Sequence, residues 1–94
     1  LYLAAGDRTS ALTSLKRVQE IDPESALGQL AFGMQEEVNR RFDQAIAHYD
    51  KAIERNVTLV LGYLGRARTR IQKSDYARAL SDATEARRRD ATSA

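Results

Sequence analysis

The chain has 94 residues, of which 43% are hydrophobic and 30% are charged, close to the average of folded globular proteins. It has no cysteine and one histidine, which excludes disulfide bonds, thiolate metal sites and cysteine nucleophiles and leaves the compartment open. The net charge of +2 is uneven, because residues 1–59 carry seven basic and nine acidic side chains whereas residues 60–94 carry eight and four.

The first predicted helix boundary lies at Pro23, where Asp22 is expected to cap the next helix and Pro23 to occupy its first turn. Further boundaries are predicted at residues 39–41, 56–58 and 73–75. Between these boundaries apolar residues recur at spacings of three and four. The pattern predicts five amphipathic helices, over about 12–18, 27–38, 45–53, 61–71 and 76–86, after a truncated helix at the start. No run approaches the roughly 20 apolar residues of a membrane span.

The sequence repeats with a period of about 34 residues, within the range typical of repeat proteins. Shifting it by one period aligns Ala11 with Ala45 and Ala79, Leu12 with Ile46 and Leu80, Val18 with Ala52 and Ala86, and Asp22 with Asn56 and Asp90. Alanine at a crowded helix crossing lets two helices approach closely, and larger residues at the same depth fill the space beside it. The period therefore predicts helical pairs that pack in equivalent ways.

With this period, the pattern resembles the tetratricopeptide repeat (TPR) family, in which aromatic and small residues recur at set places on two helices. The matching residues are Gly6, Asp7, Ala11, Leu15, Val18 and Pro23, then Phe32, Gly33, Phe42, Ala45, Tyr49 and Ala52, then Tyr63, Arg66, Ala67, Asp75, Tyr76, Ala79 and Ala86. The chain departs from the family pattern where Gln29, Arg8 and Ala83 replace aromatic residues, and where Val57 and Ala91 replace the final proline.

The resemblance implies an all-α fold, an α-solenoid of antiparallel helical hairpins that forms a right-handed superhelix of about two and a half repeats. Residues 1–25 would be a partial first repeat, 26–59 the second and 60–94 the third, all within one domain. Because the pattern opens in mid-repeat, we expect a fragment of a longer protein. An α-solenoid with another register remains open.

The resemblance also implies a protein-interaction scaffold without catalytic activity, whose first helices line a concave peptide-binding groove. The residues expected to contact a protein or peptide partner are Leu27, Leu30, Met34, Leu61, Leu64, Arg68 and Ile71. They favour an apolar or amphipathic segment. Met34 and Leu64 stand where some members of the family carry the Asn and Lys of a carboxylate clamp, so we expect no tight binding of a terminal carboxylate. The alternative that this stripe is core between repeats stays open.

Two other functions remain as alternatives. Apolar end faces, with Tyr2, Leu3, Leu12 and Leu15 at one end and Leu80 and Ala83 at the other, favour self-association into a homo-oligomer. A nucleic-acid contact through the basic last third is a more remote alternative. It is disfavoured because Asp82, Glu85 and Asp90 lie among the arginines and no aromatic side chains interleave with them.

No motif indicates catalysis, a metal site or a cofactor. Glu36 and Glu37 are adjacent in sequence, so on a helix they diverge instead of sharing a substrate. Asp50 and Glu54 are one helical turn apart but are expected on a solvated surface. We expect His48 to be exposed, because it lies between helix-packing positions and points away from them.

Overall fold

The computed structural model describes residues 13, 16–57 and 59–93, with side chains as far as residue 90. The described residues form helices and turns, and none of them forms a β-strand. The helices are α1, described over residues 16–21, α2 (Ala26–Val38), α3 (Phe42–Arg55), α4 (Val60–Gln72) and α5 (Tyr76–Ser93). The predicted boundaries near residues 23, 40, 57 and 74 are confirmed. The truncated helix predicted at the start falls outside the described residues.

Helix α2 begins at a serine cap. The Ser25 hydroxyl accepts a hydrogen bond from the Gly28 backbone N–H at 3.0 Å and donates one to the Asp22 carbonyl at 2.8 Å. The prediction that Asp22 caps this helix was therefore wrong, because Asp22 contributes its backbone carbonyl instead. Pro23 was predicted in the first turn and lies before the Ser25 cap, so that prediction was wrong as well. A Cβ on Gly28 would lie 2.7 Å from the Pro23 carbonyl oxygen, so glycine allows the chain to pass close to the helix here.

The two helical hairpins close with the same turn, at positions one repeat period apart. Arg40 has φ 62° and Ser74 has φ 63°, both in the left-handed region that favours glycine. The Arg41 N–H donates to the Glu36 carbonyl at 2.8 Å, and the Asp75 N–H donates to the Arg70 carbonyl, also at 2.8 Å. Each turn is thus a Schellman motif, built on a residue other than glycine.

Replacing Arg40 or Ser74 with glycine is expected to raise the free energy of unfolding by about 0.5–1 kcal/mol per site, because a Cβ disfavours the left-handed conformation. The sequence has Gly6 at the corresponding position. Urea denaturation followed by circular dichroism measures the change. Asn39→Gly is the control, since Asn39 has φ −81° and its replacement with glycine brings no such gain.

The core is built from small side chains placed around a few large ones. Ala45, Ala52, Ala79 and Ala86 are all buried. The alanines that the shift by one repeat period aligns, Ala45 with Ala79 and Ala52 with Ala86, therefore do lie inside the fold. Ala11 lies outside the described residues. Helix α2 packs on α3, α4 packs on both α3 and α5, and α2 also contacts α4. The molecule is therefore all-helical, with sequential helices packed against one another.

Candidate functional site

Tyr49 on α3 is the side chain around which α2 and α4 are placed. It is fully buried, and its ring lies directly against the backbones of Gly33 and Gly65. A Cβ on Gly33 would lie 2.7 Å from Cε1 of the ring, and a Cβ on Gly65 would lie 2.6 Å from it. Because glycine has no side chain at either position, the backbones of both helices can lie close to the ring. Tyr49 therefore sets the spacing of α2, α3 and α4.

Above Tyr49, a polar cluster joins α2 to α4 through Glu37. The Tyr49 hydroxyl donates to Glu37 Oε1 at 2.8 Å, Arg68 Nε donates to Oε2 at 2.5 Å, and Gln72 Nε2 donates to Oε2 at 3.1 Å. Burial acts to raise the pKa of Glu37, but the hydrogen bonds from Arg68 and Tyr49 hold it below its usual value. The Glu37 carboxylate therefore stays charged and holds the two helices side by side.

The same cluster shifts the pKa of its other members. Burial and the hydrogen bond to Glu37 raise the pKa of Tyr49, so its hydroxyl remains a donor. The hydrogen bond to Glu37 raises the pKa of Arg68. Arg68 was expected from the sequence to contact a ligand. Its guanidinium group donates two hydrogen bonds to the Glu37 carboxylate, although half of its side chain remains exposed. The charge of Arg68 is therefore already compensated by Glu37.

The predicted groove residues do not share one environment. Leu27, Leu61, Leu64 and Ile71 are 44%, 55%, 42% and 53% exposed, and Met34 is half-buried. Leu30 is only 1% exposed and packs against Ala45, Tyr49 and Ala52. Its place is in the core, so a ligand on the surface does not reach its side chain.

Three of these side chains define what we name the α2–α4 face, namely Leu27, Leu61 and Ile71. Leu61 and Ile71 stand at spacings of seven and three residues from Arg68, so they share its side of α4. Leu27 lies ten residues before Glu37 on α2, so the two positions are about 80° apart around the helix axis, within one half of its surface. The Arg68–Glu37 ion pair joins these two sides.

Leu64 also contributes to a second surface. It lines an open pocket of about 310 Å³ between α4 and α5, which we name the end pocket. The residues that line it are Val60, Leu64, Ala83, Ala86, Arg87 and Asp90. Leu64 also stands four residues before Arg68, on the side of α4 that carries Leu61 and Ile71, so the end pocket adjoins the α2–α4 face.

A charge cluster fixes α4 on α5. Arg66 donates to both Asp82 carboxylate oxygens, at 3.0 and 2.6 Å, and to Asp50 at 2.7 Å, while Arg70 donates to Asp82 at 2.5 Å. Asp82 is only 3% exposed. Burial acts to lower the pKa of Arg66, and its hydrogen bonds to the two aspartates raise it above the usual value. Because every charge is paired, Asp82 is held in the interior without an uncompensated charge.

His48 occupies the equivalent crossing in the first hairpin, one repeat period before Asp82. Its ring stacks on Phe32 with centroids 5.2 Å apart, and its Nδ1 lies 2.9 Å from Gln29 Oε1. Gln29 Nε2 donates to the Pro23 carbonyl at 2.8 Å, so Oε1 is the acceptor and Nδ1 of His48 carries the proton. The expectation that His48 is exposed was wrong, because the ring is half-buried between α2 and α3.

The environment of His48 predicts a dependence of stability on pH. Burial, followed by the charge of Lys51, lowers the pKa of His48 below its ordinary 6.5. The unfolded chain therefore binds a proton first as the pH falls, and the free energy of unfolding is expected to decrease from about pH 7.5 to 5.5. Urea denaturation at several pH values measures this slope.

The control is His48→Asn, which retains a hydrogen-bond donor and does not titrate. Its stability should change less than that of the wild type over the same interval, because the lowered pKa of Glu37 affects stability only at more acidic pH. An equal slope in both proteins would contradict the role of His48.

The basic side chains of the last third are largely paired with carboxylates. Arg66 and Arg70 bind Asp82, Lys73 pairs with Asp43, and Arg68 pairs with Glu37. The further ion pairs are Arg78 with Asp75, and Arg88 and Arg89 with Glu85. Several partners stand 12 to 31 residues apart, so charge counting along the sequence missed them. The net field available to a phosphate backbone is reduced accordingly.

No group of three or more His, Asp or Glu side chains close enough to hold a metal ion occurs in the described part of the chain. Within the same part, no helix is both long and apolar enough to cross a membrane. A scan against protein-family models found no match, and a search of the curated proteins found no similar protein.

Proposed function

We propose that this protein is a non-catalytic interaction module that binds an apolar or amphipathic segment of another protein on the α2–α4 face. The observation that carries the proposal is the exposure of Leu27, Leu61 and Ile71, at 44%, 55% and 53%, on two helices held side by side by a buried tyrosine and an ion pair. Grouped exposed apolar side chains on a rigid support mark interaction surfaces.

The chemistry of this face favours apolar contacts. Fully burying a Leu or Ile side chain contributes roughly 1.5–3 kcal/mol. Leu27, Leu61 and Ile71 are each about half-exposed, so a ligand gains roughly half of that at each of them. An amphipathic helix laid on this face is the simplest ligand geometry. Arg68 is compensated by Glu37, so a ligand carboxylate gains little from it. Tight recognition of a terminal carboxylate is therefore not part of the proposal.

The larger architecture that we propose is a TPR-like α-solenoid of antiparallel hairpins. The identical Schellman turns at Arg40 and Ser74, one repeat period apart, support it. So do the small buried residues Ala45 and Ala79 at the same spacing. In such a stack the first helix of each hairpin lines one side, which is the side that carries the α2–α4 face.

The test is a selection of binding peptides from a random display library with the intact chain as bait. The best peptide is then titrated by fluorescence anisotropy against the wild type, Leu61→Glu and Ile71→Glu. Each substitution places a charge in an apolar contact, and we expect the affinity to fall about tenfold or more. Leu80→Glu on α5 is the matched control, since Leu80 is 68% exposed and lies away from this face.

Circular dichroism must show equal helix content in all variants. The proposal fails if the selected peptide binds Leu61→Glu and Ile71→Glu as well as the wild type. It also fails if Leu80→Glu alone weakens binding.

A further inference from the structure

The end pocket corresponds to a place that is filled elsewhere in the same molecule. Shifting its residues back by one repeat period sets Leu64 on Leu30, Ala83 on Tyr49 and Arg87 on Ile53. The earlier surface, between α2 and α3, is covered by the start of α4, with Leu59 packed against the core cluster that includes Leu30 and Tyr49. In the first hairpin, the surface that corresponds to the end pocket is therefore covered by a helix.

The contacts of α4 show which of its positions face that surface. A Cβ on Gly62 would lie 2.9 Å from Cγ1 of Ile53, and a Cβ on Gly65 would lie 2.6 Å from the Tyr49 ring. The two large side chains of α3 thus require glycine at these two positions of α4. The side chains of the occupant and those of the surface are complementary in size.

At the end pocket the size relation is reversed. Ala83 stands in place of the tyrosine. A helix bound here in the way that α4 binds α2 and α3 therefore has room for a large apolar side chain at the position corresponding to Gly65. Arg87 replaces the isoleucine, and no ion pair joins it to another described residue, although Asp90 lines the same pocket. An acidic side chain where α4 carries Gly62 would therefore face a cation.

We propose that the end pocket binds an amphipathic helix of a partner protein that carries an acidic residue and, three positions later, a large apolar residue. The apolar side chain enters the pocket over Ala83 and contacts Leu64, and the acidic side chain pairs with Arg87. This site lies between α4 and α5, next to the α2–α4 face, and it does not depend on the function proposed for that face.

The probe is a peptide with the sequence of residues 56–73, which contains α4, added to the intact chain. Three versions are compared by fluorescence anisotropy: the unchanged peptide, Gly65→Leu, and Gly62→Glu with Gly65→Leu. We expect the leucine to tighten binding about tenfold, because its side chain leaves water for the pocket. The added glutamate is expected to tighten binding about threefold further, with a dependence on salt.

Two variants of the protein locate the site. Ala83→Tyr fills the pocket as Tyr49 fills its counterpart, and it should abolish the gain from the leucine. Ala47→Tyr, at an exposed alanine of α3, is the matched control and should leave binding unchanged. Arg87→Glu should weaken binding of the glutamate peptide and be rescued by a peptide with Gly62→Lys and Gly65→Leu.

Binding that is equal for all three peptides, or that survives Ala83→Tyr, would overturn the proposal. The proposal would also be overturned if a second copy of the chain occupied the end pocket. In that case sedimentation would show a dimer that Ala83→Tyr converts to a monomer, without any added peptide.

Discussion

Replacing Tyr49 with alanine is expected to lower the free energy of unfolding by about 3–5 kcal/mol, which is the range for deleting a buried aromatic side chain. The ring is fully buried and touches the backbones of Gly33 and Gly65, so both α2 and α4 lose contact with it at once. Because glycine has no side chain, nothing on α2 or α4 at these positions can fill the cavity. Urea denaturation monitored by circular dichroism measures the loss.

Two comparisons separate the packing of Tyr49 from its hydrogen bond. Tyr49→Phe removes only the bond to Glu37, which retains Arg68 and Gln72, so the expected cost is about 1 kcal/mol. Gly65→Ala should cost about 1–3 kcal/mol in the wild type because its Cβ meets the ring. In the Tyr49→Ala background, Gly65→Ala should not lower the free energy of unfolding further. If the losses of the two single variants simply add in the double variant, the ring and the glycine are not coupled.

The second large effect is expected at Asp82. Asp82→Ala removes the shared partner of Arg66 and Arg70, which leaves the partly buried Arg70 without a carboxylate and Arg66 with the exposed Asp50 alone. We expect a loss of about 3 kcal/mol in the free energy of unfolding, since breaking a buried ion pair costs more than the pair contributes. The loss should be greatest between α4 and α5, which amide hydrogen exchange can localise.

Asp50→Ala is the matched control for the charge cluster. Asp50 also pairs with Arg66, at 2.7 Å, but half of its side chain is exposed. Its removal should cost less than about 1 kcal/mol, as for other exposed ion pairs. If Asp50→Ala and Asp82→Ala destabilise the protein equally, burial is not what makes the cluster important.

The helices and their boundaries were predictable because they depend on local signals. Apolar residues at spacings of three and four define α2 to α5, and the lapse of that pattern at residues 39–41 and the capping residues at 73–75 placed the turns correctly. The buried alanines were predictable for the same reason, since a small side chain that recurs once per helical pair marks a close crossing.

The polar contacts were not predictable, because they join residues distant in sequence. Glu37 binds Arg68 and Gln72, 31 and 35 residues away, and nothing in the local pattern distinguishes Glu37 from Glu36. His48 was expected at the surface because it lies between the packing positions Ala45 and Tyr49 and points away from them, and spacing alone does not reveal the Phe32 ring beside it.

The candidate site was predictable only in part. Sequence spacing puts Leu27, Leu30, Leu61 and Leu64 on corresponding stripes, yet Leu30 is buried and Leu64 lines the end pocket. The difference arises from what covers each residue. Leu30 lies beneath the ring of Tyr49 and the start of α4, whereas Ala83, in the place corresponding to Tyr49, leaves Leu64 half-exposed.

The most direct test of the central claim is a map of amide chemical shifts of the labelled chain during titration with the library-selected peptide. If the α2–α4 face binds protein segments, the largest changes lie around Leu27, Leu61 and Ile71, and they vanish in Leu61→Glu. Changes confined to α5, or spread evenly over all helices, would contradict it.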